Sequence, residues 1–207
     1  MKRLIAFVAA AFAVCSALHA QDVMCHAGVQ GGGSLNNFSP TSEIKTDMLG
    51  GWHVGAVCII KLPAYFVIQP SVNYEQDYSV LNITTVPVLN QHKVRQQIVN
   101  IPLSLQWGPD LGICRAFVQV VPALNINVGA KYDQDDGPEK RWIDIRKYMN
   151  VAQFGIGAGA GVDIWRFQIG IRYNWFFNTW KKDVADNPFT GLNGDYRNLS
   201  FTLTFFY

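Results

Sequence analysis

Ten consecutive residues, Arg166-Phe167-Gln168-Ile169-Gly170-Ile171-Arg172-Tyr173-Asn174-Trp175, alternate between two kinds of side chain. Even positions carry charged, amide or minimal groups, and odd positions carry only large apolar or aromatic ones. A helix would spread these around its circumference, whereas a β-strand puts successive side chains on opposite faces. The stretch is therefore a strand with one wholly apolar face. The preceding run, 153–163, repeats the pattern with Gln153, four glycines and Asp163 on the polar face. Those glycines leave room for large neighbours such as Arg166 and Arg172.

The same period recurs upstream. Val99, Ile101, Leu103, Leu105 and Trp107 oppose Asn100, Pro102, Ser104 and Gln106, and Phe66, Ile68, Pro70, Val72 and Tyr74 oppose a face ending in Glu75. Residues 117–127 alternate less cleanly, because Phe117, Val121 and Ala123 fall on the polar side. In 52–62, His53, Gly55 and Lys61 oppose Trp52, Val54, Ala56, Cys58 and Ile60, and a Gly-rich first strand spans roughly 24–35. The run Leu199 to Tyr207 sets Leu199, Phe201, Leu203, Phe205 and Tyr207 against Ser200, Thr202 and Thr204. Together these make eight strands. Alternation alone fits a soluble sandwich or a membrane barrel equally well. Strand lengths near 10 residues and aromatic residues near strand ends favour a bilayer-spanning barrel, for which about 9–11 residues per strand are needed.

The connections agree with that choice. Long links at 36–50, 76–94, 129–148 and 179–195 alternate with shorter ones at 63–64, 108–115 and 165–166. Outer-membrane barrels alternate long external loops with short periplasmic turns. The fold class expected is thus all-β, an eight-stranded antiparallel up-and-down transmembrane β-barrel. Pro70, Pro102 and Pro122 fall inside strands, where each removes a ladder donor, and bulges are the expected accommodation.

The amino-terminal residues read as an export address. Lys2-Arg3 precede an uncharged apolar run from Leu4 to Val14 and small residues up to Ala20. That is the order of a signal peptide, so residues 1–20 are expected to be removed and 21–207 to form one barrel domain in the cell outer membrane. A net charge of +2, with Lys and Arg scattered, gives no support for nucleic-acid binding. Cys25, Cys58 and Cys114 each lie in apolar strand-like runs, where they read as small hydrophobes. A Cys25 to Cys58 bridge between neighbouring strands stays open.

Four segments carry a family likeness: Tyr65-Phe66-Val67-Ile68-Gln69-Pro70-Ser71-Val72-Asn73-Tyr74, Val99 to Leu105, Phe154 to Val162, and Ile171-Arg172-Tyr173-Asn174. With the closing strand from Arg197-Asn198, they resemble the PorT-like outer-membrane β-barrel family of Bacteroidota. The resemblance implies a monomeric eight-stranded barrel whose strand prolines are a family habit, little chemistry, and for some relatives an association with protein secretion machinery.

An eight-stranded barrel is just wide enough for its own side chains. The polar-face charges Lys61, Glu75, Asp163, Arg166 and Arg172, with amides such as Gln69, Asn73, Asn100 and Gln168, are expected to fill it as a hydrogen-bonded network with carboxylate-guanidinium pairs. No nucleophile-base spacing, metal-ligand cluster or phosphate loop is present, so no catalytic residue, cofactor or metal is expected. A lipid-modifying hydrolase would need His26 or His53 near a serine and an acid. A secreted soluble barrel holding an apolar ligand would turn Phe167 and Trp175 inward and Arg172 outward. The loops are the better candidates for contacts, with Arg141 and Trp142 in the third and Trp180 and Lys181 in the fourth. Lipopolysaccharide and outer-membrane lipids are the expected surroundings, with an envelope protein as a further partner. Phe205 and Tyr207, aromatic at alternate positions at the end of the sequence, resemble the signal read by barrel-insertion machinery.

Overall fold

The computed structural model describes residues 25–38, 44–47, 49–83, 92–134, 141–146, 149–177 and 196–207. Among the described residues there are ten strands: β1 Cys25–Phe38, β2 Ile44–Asp47, β3 Leu49–Lys61, β4 Phe66–Ile83, β5 His92–Trp107, β6 Cys114–Gln134, β7 Arg141–Asp144, β8 Ala152–Ile164, β9 Phe167–Phe176 and β10 Tyr196–Phe206. Eight of them pair antiparallel in the cyclic order β1-β3-β4-β5-β6-β8-β9-β10, and β10 returns to β1 through the register Gly28↔Phe206 to Phe38↔Tyr196. Closure removes the sheet edges that an open structure would leave unpaired. The remaining two, β2 and β7, extend β4 and β6 at the end where the long connections lie.

The turns at the opposite end are tight. Trp165 and Arg166 alone link β8 to β9, with Trp165 at φ 56°, a left-handed conformation suited to the twist of a two-residue hairpin. Between β3 and β4, Ala64 and Tyr65 take φ of 59° and 66°, and the Leu62 amide donates to the Phe66 carbonyl at 2.8 Å. Between β5 and β6, the Asp110 carboxylate accepts from the Gly112 amide at 2.9 Å. β1 starts and β10 finishes at this same end.

The parity read from the sequence holds around the barrel. Phe167, Ile169, Ile171 and Trp175 on β9 are exposed, as are Leu103, Leu105 and Trp107 on β5 and Phe201 and Leu203 on β10. Gln69, Asn100, Gln106, Gln168 and Ser200, on the other parity, are buried. Such a surface is inverted for water and right for hydrocarbon. From Phe167 to Trp175 the apolar stripe covers eight steps, roughly 26 Å along the strand and about 20 Å along the axis at a tilt near 40°. Aromatic pairs mark both borders: Trp52 with Tyr74 (5.8 Å) and Tyr173 with Trp175 (4.7 Å) at the loop end, Phe167 with Phe205 (5.2 Å) at the turn end.

The three strand prolines do not produce bulges. Pairing stays in register on both sides of each, but the rungs at 58–59/69–70, 71–72/101–102 and 103–104/121–122 are missing. Proline has no N–H to give, and Pro70, Pro102 and Pro122 stand beside one another across β4, β5 and β6. The register shift that does occur in this region lies at Gln97/Ile98, nearer the loop end.

Candidate functional site

Glycines set the shape of the barrel interior. A Cβ on Gly157 would lie 3.2 Å from the Arg172 stem, one on Gly32 would lie 2.8 Å from the His53 ring, and one on Gly161 would strike the Phe117 ring. The inward glycines of β1 and β8 are thus the space into which large side chains from neighbouring strands fold. Arg172 uses such space; Arg166 does not.

At the turn end a closed hydrogen-bond circuit crosses the bore. Arg115 donates through Nε to Asp163 Oδ2 at 2.7 Å and through a second nitrogen to Gln106 Oε1 at 2.5 Å. Gln106 Nε2 donates to Gln69 Oε1 at 2.5 Å, Gln69 Nε2 to Gln168 Oε1 at 2.9 Å, and Gln168 Nε2 to Asp163 Oδ1 at 2.8 Å. The circuit joins β6, β5, β4, β9 and β8, and the Gln69-Gln168 bond spans strands that are not neighbours. Beside it, Val57, Ile59, Val67 and Phe206 form an apolar cluster inside the barrel. Arg115 also stacks over Phe117, 5.0 Å from the ring centroid.

Toward the loop end the interior is a ladder of amides. Asn73 faces Asn100, Asn100 faces Asn125, and Asn125 faces Gln153 across four consecutive barrel strands. Asn36, Asn198 and Asn174 repeat the motif across β1, β10 and β9, with Asn198 donating to Asn36 Oδ1 at 2.5 Å and Asn174 to Asn198 Oδ1 at 3.1 Å. Glu75 and Asp77 point into this region from β4, and Ser34 Oγ donates to Asp77 at 3.0 Å. His53 stands opposite Glu75 in the β3-β4 register, and its Nε2 lies 3.1 Å from Thr202 Oγ1. The loop segment after β7 closes back on β6: Ile145 and Met149 are buried, and the Ile145 amide donates to the Ala130 carbonyl at 3.0 Å.

Of the five charges expected inside, Glu75, Asp163 and Arg172 face the interior. Lys61 and Arg166 correct the expectation: both are exposed at the turn end, and Arg166 lies 5.4 Å from the Trp165 ring centroid. Lys61 is the last residue of β3 and Arg166 sits in the turn itself, so parity no longer dictates direction there. The guanidinium that pairs with Asp163 is Arg115, which sequence reasoning missed. Extending the alternation of Phe117 and Gln119 back by two residues would have found it.

His53 is buried inside and His26 is exposed, so the two do not share a site. Cys58 is disulfide-bonded rather than a plain hydrophobe, and Cys114 is a free thiol. Phe205 packs edge-on against Tyr207 at 5.8 Å. Arg141 and Trp142 lie on β7, whose register with β6 is Gln134↔Arg141 and Asp133↔Trp142. Trp180, Lys181 and residues 1–20 lie outside the described residues. Among the described residues no group of three or more His, Cys, Asp or Glu side chains could hold a metal ion.

A family model described as "Outer membrane protein beta-barrel domain" matches residues 19–180. No curated protein matches the chain. Among solved structures it is similar to the outer membrane protein OprG of Pseudomonas aeruginosa, at 10% identity over 88% of this chain and 95% of that one, with a TM-score of 0.54. It also aligns with Neisserial surface protein A at 13% identity, 87% and 97% coverage and a TM-score of 0.46. Ail, the attachment invasion locus protein of Yersinia pestis, solved with the heparin analogue sucrose octasulfate, aligns at 8% identity, 88% and 99% coverage and a TM-score of 0.43. At such identities the likeness is one of fold, and OprG carries it.

Proposed function

The chain belongs to the outer membrane protein β-barrel domain family, and from that membership we propose a non-enzymatic barrel that works through its external loops as an interaction or structural element of the envelope. The observation that carries this reading is the filled bore. Among the described residues, the Arg115-Asp163-Gln168-Gln69-Gln106 circuit and the Val57, Ile59, Val67 and Phe206 cluster fill the turn end with side chains. The His53-Thr202 contact is buried within the barrel, behind the wall that faces lipid. That leaves the loop surface, held on a rigid frame, as the part free to recognise something.

In this reading the short turns, the start of β1 and the end of β10 are periplasmic. Arg141, Trp142, Trp180 and Lys181 meet lipopolysaccharide headgroups or an envelope protein partner, which the PorT-like resemblance would connect with secretion machinery. Residues 1–20 are removed on export, Phe205 and Tyr207 are read by the insertion machinery, and the barrel is a monomer without cofactor.

The test is photo-crosslinking in intact cells from positions 142 and 180, with position 169 on the barrel wall as control. Adducts to lipopolysaccharide or to one envelope protein at the loop positions, absent at 169, support the proposal. Stepwise ion conductance by purified protein in planar bilayers, or hydrolysis of outer-membrane lipids that His53→Ala abolishes, would overturn it.

A further inference from the structure

Between the amide ladder and the turn-end circuit the interior leaves a cavity of about 30 Å³, room for roughly two waters. We propose that this cavity is a binding site for a single small inorganic anion of the halide class, held by Arg172. Three features of the lining support the choice.

The first is the cation. The buried Nε of Arg172 has no hydrogen-bond partner, and Arg172 is the charged residue of the lining. Glu75 does not line the cavity; on β4 it lies four residues nearer the loop end than the lining residue Ser71. A buried guanidinium is held most favourably when its remaining N–H groups meet acceptors.

The second is the hydrogen-bonding sign of the other groups. The carbonyl oxygens of Gln69, Gln119 and Gln168 already accept from Gln106, Ser104 and Gln69. Gln119 keeps an N–H for the cavity, because its Nε2 lies beside Gly170 while its oxygen is held by Ser104, and Ser71 adds a hydroxyl that can turn its proton inward. An occupant that only accepts can take the Arg172 Nε–H and the Gln119 N–H together, with no protons of its own to place, whereas water must also place two.

The third is the built space. Gly170 faces the cavity, and a Cβ placed on it would come no nearer than 3.9 Å to any neighbouring heavy atom. Most inward glycines here are crowded by a neighbour that needs their space. Gly170 is not, and its missing side chain is part of the void.

The test is crystallography of the mature protein grown in sodium bromide, read by anomalous scattering. One bromide peak in contact with the Arg172 guanidinium, lost in Gly170→Ala while that variant keeps its heat-dependent gel mobility, is the expected result. Two water peaks without anomalous signal in the wild type, or a bromide that persists unchanged in Gly170→Ala, would overturn the proposal. Loss of folding is not expected in Gly170→Ala, and Ser71→Val provides a second way to remove a donor and narrow the cavity, with the same loss of bromide expected.

Discussion

Removing the Asp163 carboxylate should open the circuit that crosses the barrel. Asp163 accepts from Arg115 Nε at 2.7 Å and from Gln168 Nε2 at 2.8 Å, and the side chains of the ion pair are only 10% and 18% exposed. Asp163→Ala removes two hydrogen bonds to a carboxylate, one from the Arg115 guanidinium and one from the Gln168 amide, each worth about 1.5–3 kcal/mol. It also leaves Arg115 largely buried with Gln106 and the Phe117 ring as company. Fully buried pairs broken on one side lose roughly 3–5 kcal/mol. Residual exposure lets water reach the orphaned guanidinium, so about 3 kcal/mol is expected. Arg115→Met should cost a similar amount, since it strands the carboxylate instead. The double variant Arg115→Met/Asp163→Ala strands neither, and should fall short of the additive loss by about 2 kcal/mol. The assay is reversible urea unfolding in lipid vesicles, followed by tryptophan fluorescence and by gel mobility without boiling. A coupling energy below about 0.5 kcal/mol would refute the argument, because the two groups would then not be acting on each other.

Further outcomes follow from the packing of the wall. Gly32→Val should fail to give the heat-modifiable folded band, because a Cβ there overlaps the Phe201 carbonyl and the His53 ring, whereas Gly33→Ala on the outer face, nearest atom 3.7 Å away, should fold and gain a few tenths of a kcal/mol, roughly. Ile169→Arg, at a residue 58% exposed, should lose about 2–4 kcal/mol in vesicles if that face meets hydrocarbon; a neutral effect would mean that water bathes it. After denaturation without reductant, a thiol reagent should label Cys114 and not Cys58, and labelling at Cys58 would contradict the disulfide assignment.

The spanning part of the barrel was legible because lipid imposes a rule on every second residue. From Phe167 to Trp175, or from Val99 to Trp107, an outward polar group would be costly, so the chemical alternation and the strand coincide. Beyond the aromatic border the rule lapses. The strands β4, β5 and β6 run on to Ile83, back to His92 and out to Gln134, with outward Gln97 and Lys131 where apolar groups would be required lower down. Water accepts either polarity, so nothing in the pattern revealed these extensions, or β2 and β7, which pair only there. The ion pair inside the barrel has other partners than the sequence suggested. Asp163 needed a guanidinium, and parity offered Arg166 and Arg172. Arg115 lies two residues before the alternating run 117–127, and the β6-β8 register sets it opposite Asp163. The apolar cluster of Val57, Ile59, Val67 and Phe206 was hidden for a related reason: inward apolar residues break the alternation, and the break looks like noise until closure brings them together.

The central claim is that the exposed apolar band faces hydrocarbon while the opposite parity faces a filled interior. Nitroxide scanning along β9, one cysteine at a time from position 167 to 176 in reconstituted protein lacking Cys114, measures it directly. Collision with oxygen should rise and fall with period two, highest at 169 and 171, and collision with a water-soluble nickel chelate should be low at those positions. A reversed phase, or nickel accessibility at 169 and 171 equal to that of the loops, would contradict the membrane-spanning barrel.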